Sequence, residues 1–425
     1  MQRISRNLLS QGYQVTFITG EDFRQQVEQS GAKCVVPSGW ESFNDEAAQK
    51  FVAQHSSKSF MEQENLNTIE FFIKSIPAQF EAIQSILDSS IIIESAMPVV
   101  VLPESSFLGA LPFGLGVPGL HPRGVVAVGI LPVLAISLDT APHGHCLLPD
   151  SSKGGRKRNR SLNRNFIDAL GPSQAELNKI LEQLGARGTN LYRHNAIIEL
   201  SDIFLQLCPQ SLEYPRSDAP PTLRFTGGLP RSDSTSSKTE LPPWWNELVL
   251  NLRKRHIVAV SQGTVARNYH DLIIPTLNAL KDREDILVVV ALGKKGATFP
   301  ATSFIPDNAR VADWIPFDEL LPLSSVFVTN GGYGSFQNAL SQGVPLVIAA
   351  PHFADKIDIA DRVEWSGTGI NLKTGTPSRE TLRKAILDVL SEGRYKRRAM
   401  EVQAEIRSYE PIDIITAAID KVADS

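Results

Sequence analysis

Cysteine is scarce in this chain. Its three residues, Cys34, Cys146 and Cys208, lie far apart, with neither metal-ligand spacing nor a disulfide framework. Cys34 and Cys208 stand in apolar, strand-like runs, which reads as buried, inert thiols in a reducing cytosol. No apolar run is long enough to cross a bilayer. The longest, VVAVGILPVLAISL at 125–138, is shorter than the roughly 20 residues a membrane helix needs, and Pro132 interrupts it. Peripheral contact with a membrane stays open; spanning does not. The opening residues, MQRISRNLLSQGYQV, lack the continuous apolar segment of a secretory leader, so the expected setting is cytoplasmic. Charge of either sign is not in excess: the net value of −4 gives no reason to expect nucleic acid or anionic lipid as partner. One local run departs from this, KGGRKRNRSLNR at 153–164, and it reads as a solvated part of a long mobile loop over 142–162.

What is present is a chain of 425 residues with 42% apolar and 21% charged content, large enough for two cores. Apolar strand-like runs alternate with amphipathic helical ones in both halves, the pattern of parallel doubly wound sheets. The expected fold class is therefore α/β, with two facing Rossmann-like domains and a cleft between them. The boundaries are 1–230 for the first domain, a Ser/Thr-rich linker at 231–241, 242–408 for the second domain, and a last helix at 409–425 that crosses back. A helix with Pro77 as a kink is predicted over 66–87. The start is unusual, because RISRNLLSQGYQVTFITG begins on a helix where such a domain would open on a strand.

The stretch from Val311 to Leu372 carries the chemistry. It reads as strand, short helix, strand at Val326–Thr329, the turn TNGGYGS, an amphipathic helix, and a further strand. Gly331, Gly332 and Gly334 let the backbone approach a ligand closely, and the helix that follows offers free N–H groups to an anion. Trp314 ends the preceding strand, where it can stack on a planar base. Asp355 and Lys356 come just past the next strand, where a polar ligand tail arrives in an open α/β sheet. A nucleotide-diphosphate pocket is the reading these residues support on their own.

The same stretch resembles the signature of the inverting UDP-glycosyltransferases, the GT-B family, and most of all its macrolide-glycosyltransferase branch. The resemblance rests on Trp314-x-Pro316, TNGGYGS at 329–335, ALSQGVPLV at 339–347 and DK…ADRV…SGTGINL at 355–372. SFLGALP at 106–112, LEYPRSDAPPTLRFTGGLP at 212–230, LPPWW at 241–245 and SQGT at 261–264 extend it over nearly the whole chain. It implies transfer of a hexose from a UDP-sugar to a hydroxyl of a small apolar acceptor, with inversion. It assigns uracil stacking to Trp314 and the pyrophosphate to Asn330, Gly331, Gly332, Gly334 and Ser335. Gly263 and Thr264 would approach the same phosphates from the opposite loop, Asn338 stands where the family often has the ribose-binding carboxylate, and Asp355 and Lys356 would bind the sugar. Phe107 and His143 fall on the acceptor side, and His352 close to Asp355. No metal or cofactor is expected, since the sequence has no DxD-type cluster and a helix N-terminus can neutralise the leaving pyrophosphate.

The departures concern the base. Family members deprotonate the acceptor with a His after the first strand, oriented by a later carboxylate. Aligning RNLLSQGYQVTFITG with the family puts that His before Met1, so the chain is expected to lack its first strand and the usual base. Glu104 matches the carboxylate, where Asp is usual. Two rivals to the transferase follow: a catalytically impaired UDP-sugar-binding remnant, and an epimerase acting on a UDP-sugar.

Overall fold

The computed structural model describes residues 1–40, 50–51, 53–55, 57–89, 97–228, 240–264, 266–351 and 355–425. The linker residues 231–239 and His352 therefore lie outside the described residues. Short Val- and Ile-rich runs, buried on both faces, cannot satisfy their backbone groups with water, so they pair side by side under helices. In the second half six such runs form one parallel sheet: β7 (His256–Ser261), β8 (Ile286–Ala291), β9 (Ala309–Ala312), β10 (Val326–Thr329), β11 (Leu346–Ile348) and β12 (Gly369–Asn371). Their spatial order is β12-β11-β10-β7-β8-β9. The chain steps outward from β7 to β9, then returns to the other flank of β7 and steps outward again. The direction of winding thus reverses between β7 and β10.

Alternate residues of these strands feed two cores. Ile257, Leu287, Val289 and Phe327 pack toward helices Tyr333–Ser341 and Gly393–Arg407. Val258, Val288, Val290 and Val326 pack toward helices Ile273–Leu280 and Arg379–Ser391.

The first half holds two parallel sheets instead of one. The larger has the order β3-β4-β5-β6, with β3 at Val100–Val101, β4 at Gly124–Gly129, β5 at Ile203–Gln206 and β6 at Leu223–Phe225. The smaller pairs β1 (Thr16–Ile18) with β2 (Lys33–Val35). Both lie in one layer: Ile18 and Val101 join one apolar cluster, while Val15 and Val100 join the cluster on the opposite face. Among the described residues no strand connects β1 to β3. The last helix, Pro411–Ala423, crosses back as expected: Ile415, Ile419 and Val422 share a core with Ile4 and Leu8, and Tyr13 donates to Asp420 at 2.6 Å.

Two sequence expectations are corrected. The basic run is no loop; it lies within a 17-residue helix, Lys153–Ala169, capped by Ser152, whose hydroxyl accepts from the Gly155 amide at 3.0 Å. Its inward stripe is Gly155, Asn159, Asn163 and Phe166, while Arg160 and Arg164 are exposed and Arg156 donates to the buried Asp139 carboxylate at 2.7 Å. The helix over 66–87 is not merely kinked. It divides into helix Phe60–Asn67, a π-turn segment Thr68–Ile73, and helix Ile76–Leu87 with Pro77 in its first turn, where the missing N–H is harmless. Among the described residues no helix is long and apolar enough to cross a membrane.

Candidate active site

In an open parallel sheet, ligands settle outside the carboxyl ends of the strands where the winding reverses. Here that crevice lies between the turns after β7 and β10. Asn330, buried, clasps the two turns together by donating from Nδ2 to the carbonyl of Gln262 at 2.7 Å. Gln262 is fixed in turn, donating to Asn268 O at 3.0 Å and accepting from the Ile273 amide at 3.1 Å. Gly331 has φ of +86°, and a side chain there would meet Ile348 and the Lys356 carbonyl at 3.2 Å. Gly332 then N-caps helix Tyr333–Ser341 without a side-chain cap, so the first amides of a nine-residue helix stay open at the crevice. Ser335 and Asn338 are half-buried on that helix, Gly334 is exposed, and Thr264 is exposed on the opposite turn after half-buried Gly263.

The remaining sequence-predicted donor residues follow carboxyl ends of the same sheet. Trp314 comes two residues after β9, half-buried, with the Lys295 ammonium 5.2 Å from its ring centroid. Asp355 is the N-cap residue of helix Lys356–Ser366, which follows β11, and its carboxylate makes no capping bond. Burial lifts the Asp355 carboxyl to about 6 and pulls the neighbouring Lys356 ammonium downward.

Helix Lys356–Ser366 also joins the two halves. Arg362 is 1% exposed, yet its guanidinium donates from Nε and Nη2 to Glu213 Oε2 at 3.0 and 2.8 Å and from Nη2 to the Val133 carbonyl at 3.1 Å. It also stands 4.4 Å from the centroid of the Tyr214 ring. One turn earlier, buried Asp358 accepts from the Gly144 amide at 3.4 Å.

His143 lies buried between carboxylates from both halves. Its Nε2 is 3.6 Å from Glu64 and its Nδ1 3.9 Å from Asp358. Arg193 completes the group, 3.3 Å from Glu64. Burial alone would lower the His143 value, but Glu64 and Asp358 outweigh it and hold the imidazole above its usual value. Burial keeps Asp358 up as well, whereas Glu64, next to His143 and Arg193, is held below the usual carboxylate range in spite of its burial.

Phe60 and Phe166, which pack on the His143 ring at centroid distances of 5.9 and 5.1 Å, form with Met61, Gln63, Gly144, His145, Asn165 and Ala169 a cavity of about 570 Å³. Neither Phe107 nor His143 lines it. Phe107 packs on the core beneath β4, and Glu104, on the turn after β3, accepts from the Ser106 amide at 2.8 Å with burial raising its carboxyl. Sequence reasoning gave no role to Glu64, Glu213, Lys295, Asp358 and Arg362. Only the spacing of 355, 358 and 362, one helical face, offered a signal.

The geometry defines an α/β protein of two Rossmann-like halves with a side cavity in the first. Similar proteins agree. Residues 276–420 match the family described as erythromycin biosynthesis protein CIII-like, C-terminal domain. UDP-glucosyltransferase B1 of Starmerella bombicola is 36% identical over 98% of this chain and 94% of its own length. UDP-glucosyltransferase 1 of Beauveria bassiana is 37% identical over 99% and 92%. The crystal structure of the glycotransferase of kitacinnamycin superposes with a TM-score of 0.71 over 99% of this chain and 94% of that one, at 17% identity. The chain belongs to the UDP-glycosyltransferase family, in its macrolide-type branch with the GT-B fold, and is a transferase.

Proposed function

We propose that the chain moves a hexose from a UDP-sugar to a hydroxyl of a small, largely apolar acceptor, with inversion at the anomeric carbon. The observation that carries this reading is the Asn330–Gln262 clasp at the reversal point of the six-stranded sheet, with an uncapped helix N-terminus beside it. In this reading the amides of 332–335, with Ser335 and Asn330, receive the pyrophosphate, and Gly263 and Thr264 close over it. Asn is neutral, so the helix N-terminus supplies the electropositive environment and Asn330 supplies geometry. Trp314 stacks on the uracil, with Lys295 moving off the ring or staying on its other face. Asn338 contacts the ribose, and Asp355 and Lys356 hold the sugar hydroxyls.

The cavity beside His143 suits the acceptor. Its wall combines Phe60, Met61 and Phe166 with the polar ends of Gln63 and Asn165, and Gly144 ties it to the helix that begins at Asp355. Glu104 serves as an orienting carboxylate. The three cysteines, all free, fit a cytoplasmic setting. A screen of UDP-sugars against sterol, polyketide and phenol acceptors tests the reading. Sugar-specific transfer to an apolar hydroxyl supports it. UDP binding with no transfer to any acceptor would favour the nucleotide-sugar-binding remnant.

A further inference from the structure

The two halves also meet at the donor turn itself, through a side chain to which the sugar-transfer reading gives no task. Tyr333 is the first residue of helix Tyr333–Ser341, directly after Gly332. Its ring is buried beside Phe336, at a centroid distance of 6.1 Å, and its hydroxyl reaches across to the first half. There Gln206, fully buried at the carboxyl end of β5, donates from Nε2 to Tyr333 Oη and to the Leu131 carbonyl, both at 2.8 Å. The Leu131 carbonyl can only accept, which fixes the end of the amide that carries the nitrogen. The phenolic proton is left for Cys208, whose buried thiol is hydrogen-bonded to the same hydroxyl. Burial raises the phenol well above its ordinary value, so it keeps that proton.

The first half is shaped to receive this phenol. Gly129 lies opposite Gln206 in the β4–β5 pair, and a Cβ there would collide with Gln206 Oε1 and stand 2.9 Å from the Phe204 ring. Glycine thus leaves the space that the amide fills. The Gln206 carbonyl accepts from the Thr226 amide at 3.1 Å and its hydroxyl at 3.2 Å, which holds the end of β5 in place. Cys208 and Leu212 of the first half share one apolar cluster with Tyr333 and Phe336 of the second. Neither the amide nor the phenol has water to turn to, so parting the halves here would leave buried polar groups unpaired.

We propose that Tyr333 is a positioning residue for sugar transfer: held between Gln206 and Cys208, it fixes the donor turn at 330–335 relative to the acceptor half. The inference rests on the sugar-transfer reading above. Direct displacement requires the acceptor oxygen, carried by the first half, to approach the anomeric carbon in line with the bond to the departing UDP oxygen, carried by the second. A small displacement between the halves spoils that line. Tyr333 touches no reacting atom. It acts through the turn, because it follows Gly332 directly and stands two residues before Ser335. The second bond of Gln206, to Leu131, joins the same amide to the segment leading to Val133, whose amide and carbonyl are held by Glu213 and Arg362.

The test uses the full chain, with the UDP-sugar and acceptor that the screen finds best, and compares wild type with Tyr333→Phe, Gln206→Met and the double variant. Transfer to the acceptor, hydrolysis of the UDP-sugar by water, calorimetric UDP affinity and the thermal midpoint are measured for each. Tyr333→Phe keeps the ring in its core and removes only the bridging oxygen. The expected result is a fall of about 10- to 100-fold in kcat for transfer, the scale of a small misplacement of reacting groups. Water needs no held position, so hydrolysis keeps its rate and the ratio of hydrolysis to transfer rises, while UDP affinity stays unchanged. The double variant falls no further than the worse single, because both changes remove one bond. Unchanged transfer by Tyr333→Phe overturns the assignment, whether or not the thermal midpoint drops. So does an equal loss of transfer and hydrolysis, or weakened UDP binding, since either marks damage within the donor turn. Losses that multiply in the double variant overturn it as well. A wild type that binds UDP yet transfers to no acceptor refutes the sugar-transfer reading first, and this inference falls with it.

Discussion

Removing the carboxylate of Glu213 should do more damage than removing the guanidinium of Arg362, although the two form one ion pair. Both side chains are 1% exposed, so neither charge has water to fall back on. Breaking a buried pair by deleting one partner costs about 3–5 kcal/mol, mostly for the charge left behind. Arg362→Met leaves Glu213 with the Val133 amide at 3.0 Å and the Arg216 guanidinium at 3.6 Å, so its charge stays partly answered. The loss should fall near the lower end of that range. Glu213→Gln instead strands two buried cations, Arg362 and Arg216, and should reach the upper end. The double variant should be less destabilised than the sum of the singles, because each change removes the other's unpaired partner. Urea titration followed by tryptophan fluorescence is suited to this, since Trp365 lies edge-on to Tyr214 at 5.3 Å, beside the pair. Donor KM should rise together with the instability, because the helix that loses its anchor starts at Asp355. An Arg362→Met variant within about 0.5 kcal/mol of wild type, or strictly additive singles, would refute the argument.

Other expectations can be checked separately. Trp314→Ala should weaken UDP binding by roughly 1–3 kcal/mol, the scale of base–aromatic stacking; unchanged affinity by calorimetry would remove the stacking role. The Asp355 carboxyl is pushed up to about 6 by burial, with Asp358 adding to the rise and Lys356 and Arg362 opposing it, and only its ionised form accepts fully from sugar hydroxyls. Donor KM should therefore climb as pH falls through about 6, and Asp355→Asn should abolish that inflection. The stability sign is the reverse, since a raised carboxyl favours the folded chain at low pH and this contribution is lost as pH rises through about 6. Limited trypsin digestion should spare Arg156–Arg160, because helix Lys153–Ala169 withholds its backbone from the protease; rapid cleavage there would contradict the helix.

The second half was legible because its strands are buried on both faces and read as unbroken apolar runs, with glycine turns at their carboxyl ends. Pattern alone located the turn at 329–335, and the sheet order then explained why it matters. The basic helix was missed for a definite reason. Its inward stripe is made of Asn159 and Asn163, which donate to the carbonyls of Leu138, Ser137 and Thr140 at 3.1, 2.8 and 3.2 Å, so no apolar periodicity betrays it. Neither the division of the first half into two sheets nor their common layer was legible, because strand pairing is long-range. His143 sits in a polar, Gly-containing stretch that gives no local sign of burial. It is buried because the carboxylates that face it come from positions 64 and 358, which no local pattern links.

Those long-range links converge on one helix. Asp355, Asp358 and Arg362 follow one another at spacings of three and four, so they share a face of Lys356–Ser366. The first stands at the donor turn, the second accepts from Gly144 at the cavity, and the third is locked to Glu213 in the LEYPR loop of the first half. A rigid helix holds these three contacts at fixed separations. A shift of the first half over the second therefore moves the cavity loop and the turn at Asp355 together instead of one past the other. The two short motifs, EYPR at 213–216 and ADRV at 360–363, then have a physical reason to occur in the same chain. They supply the two ends of the buried ion pair that joins the two halves beside the cavity.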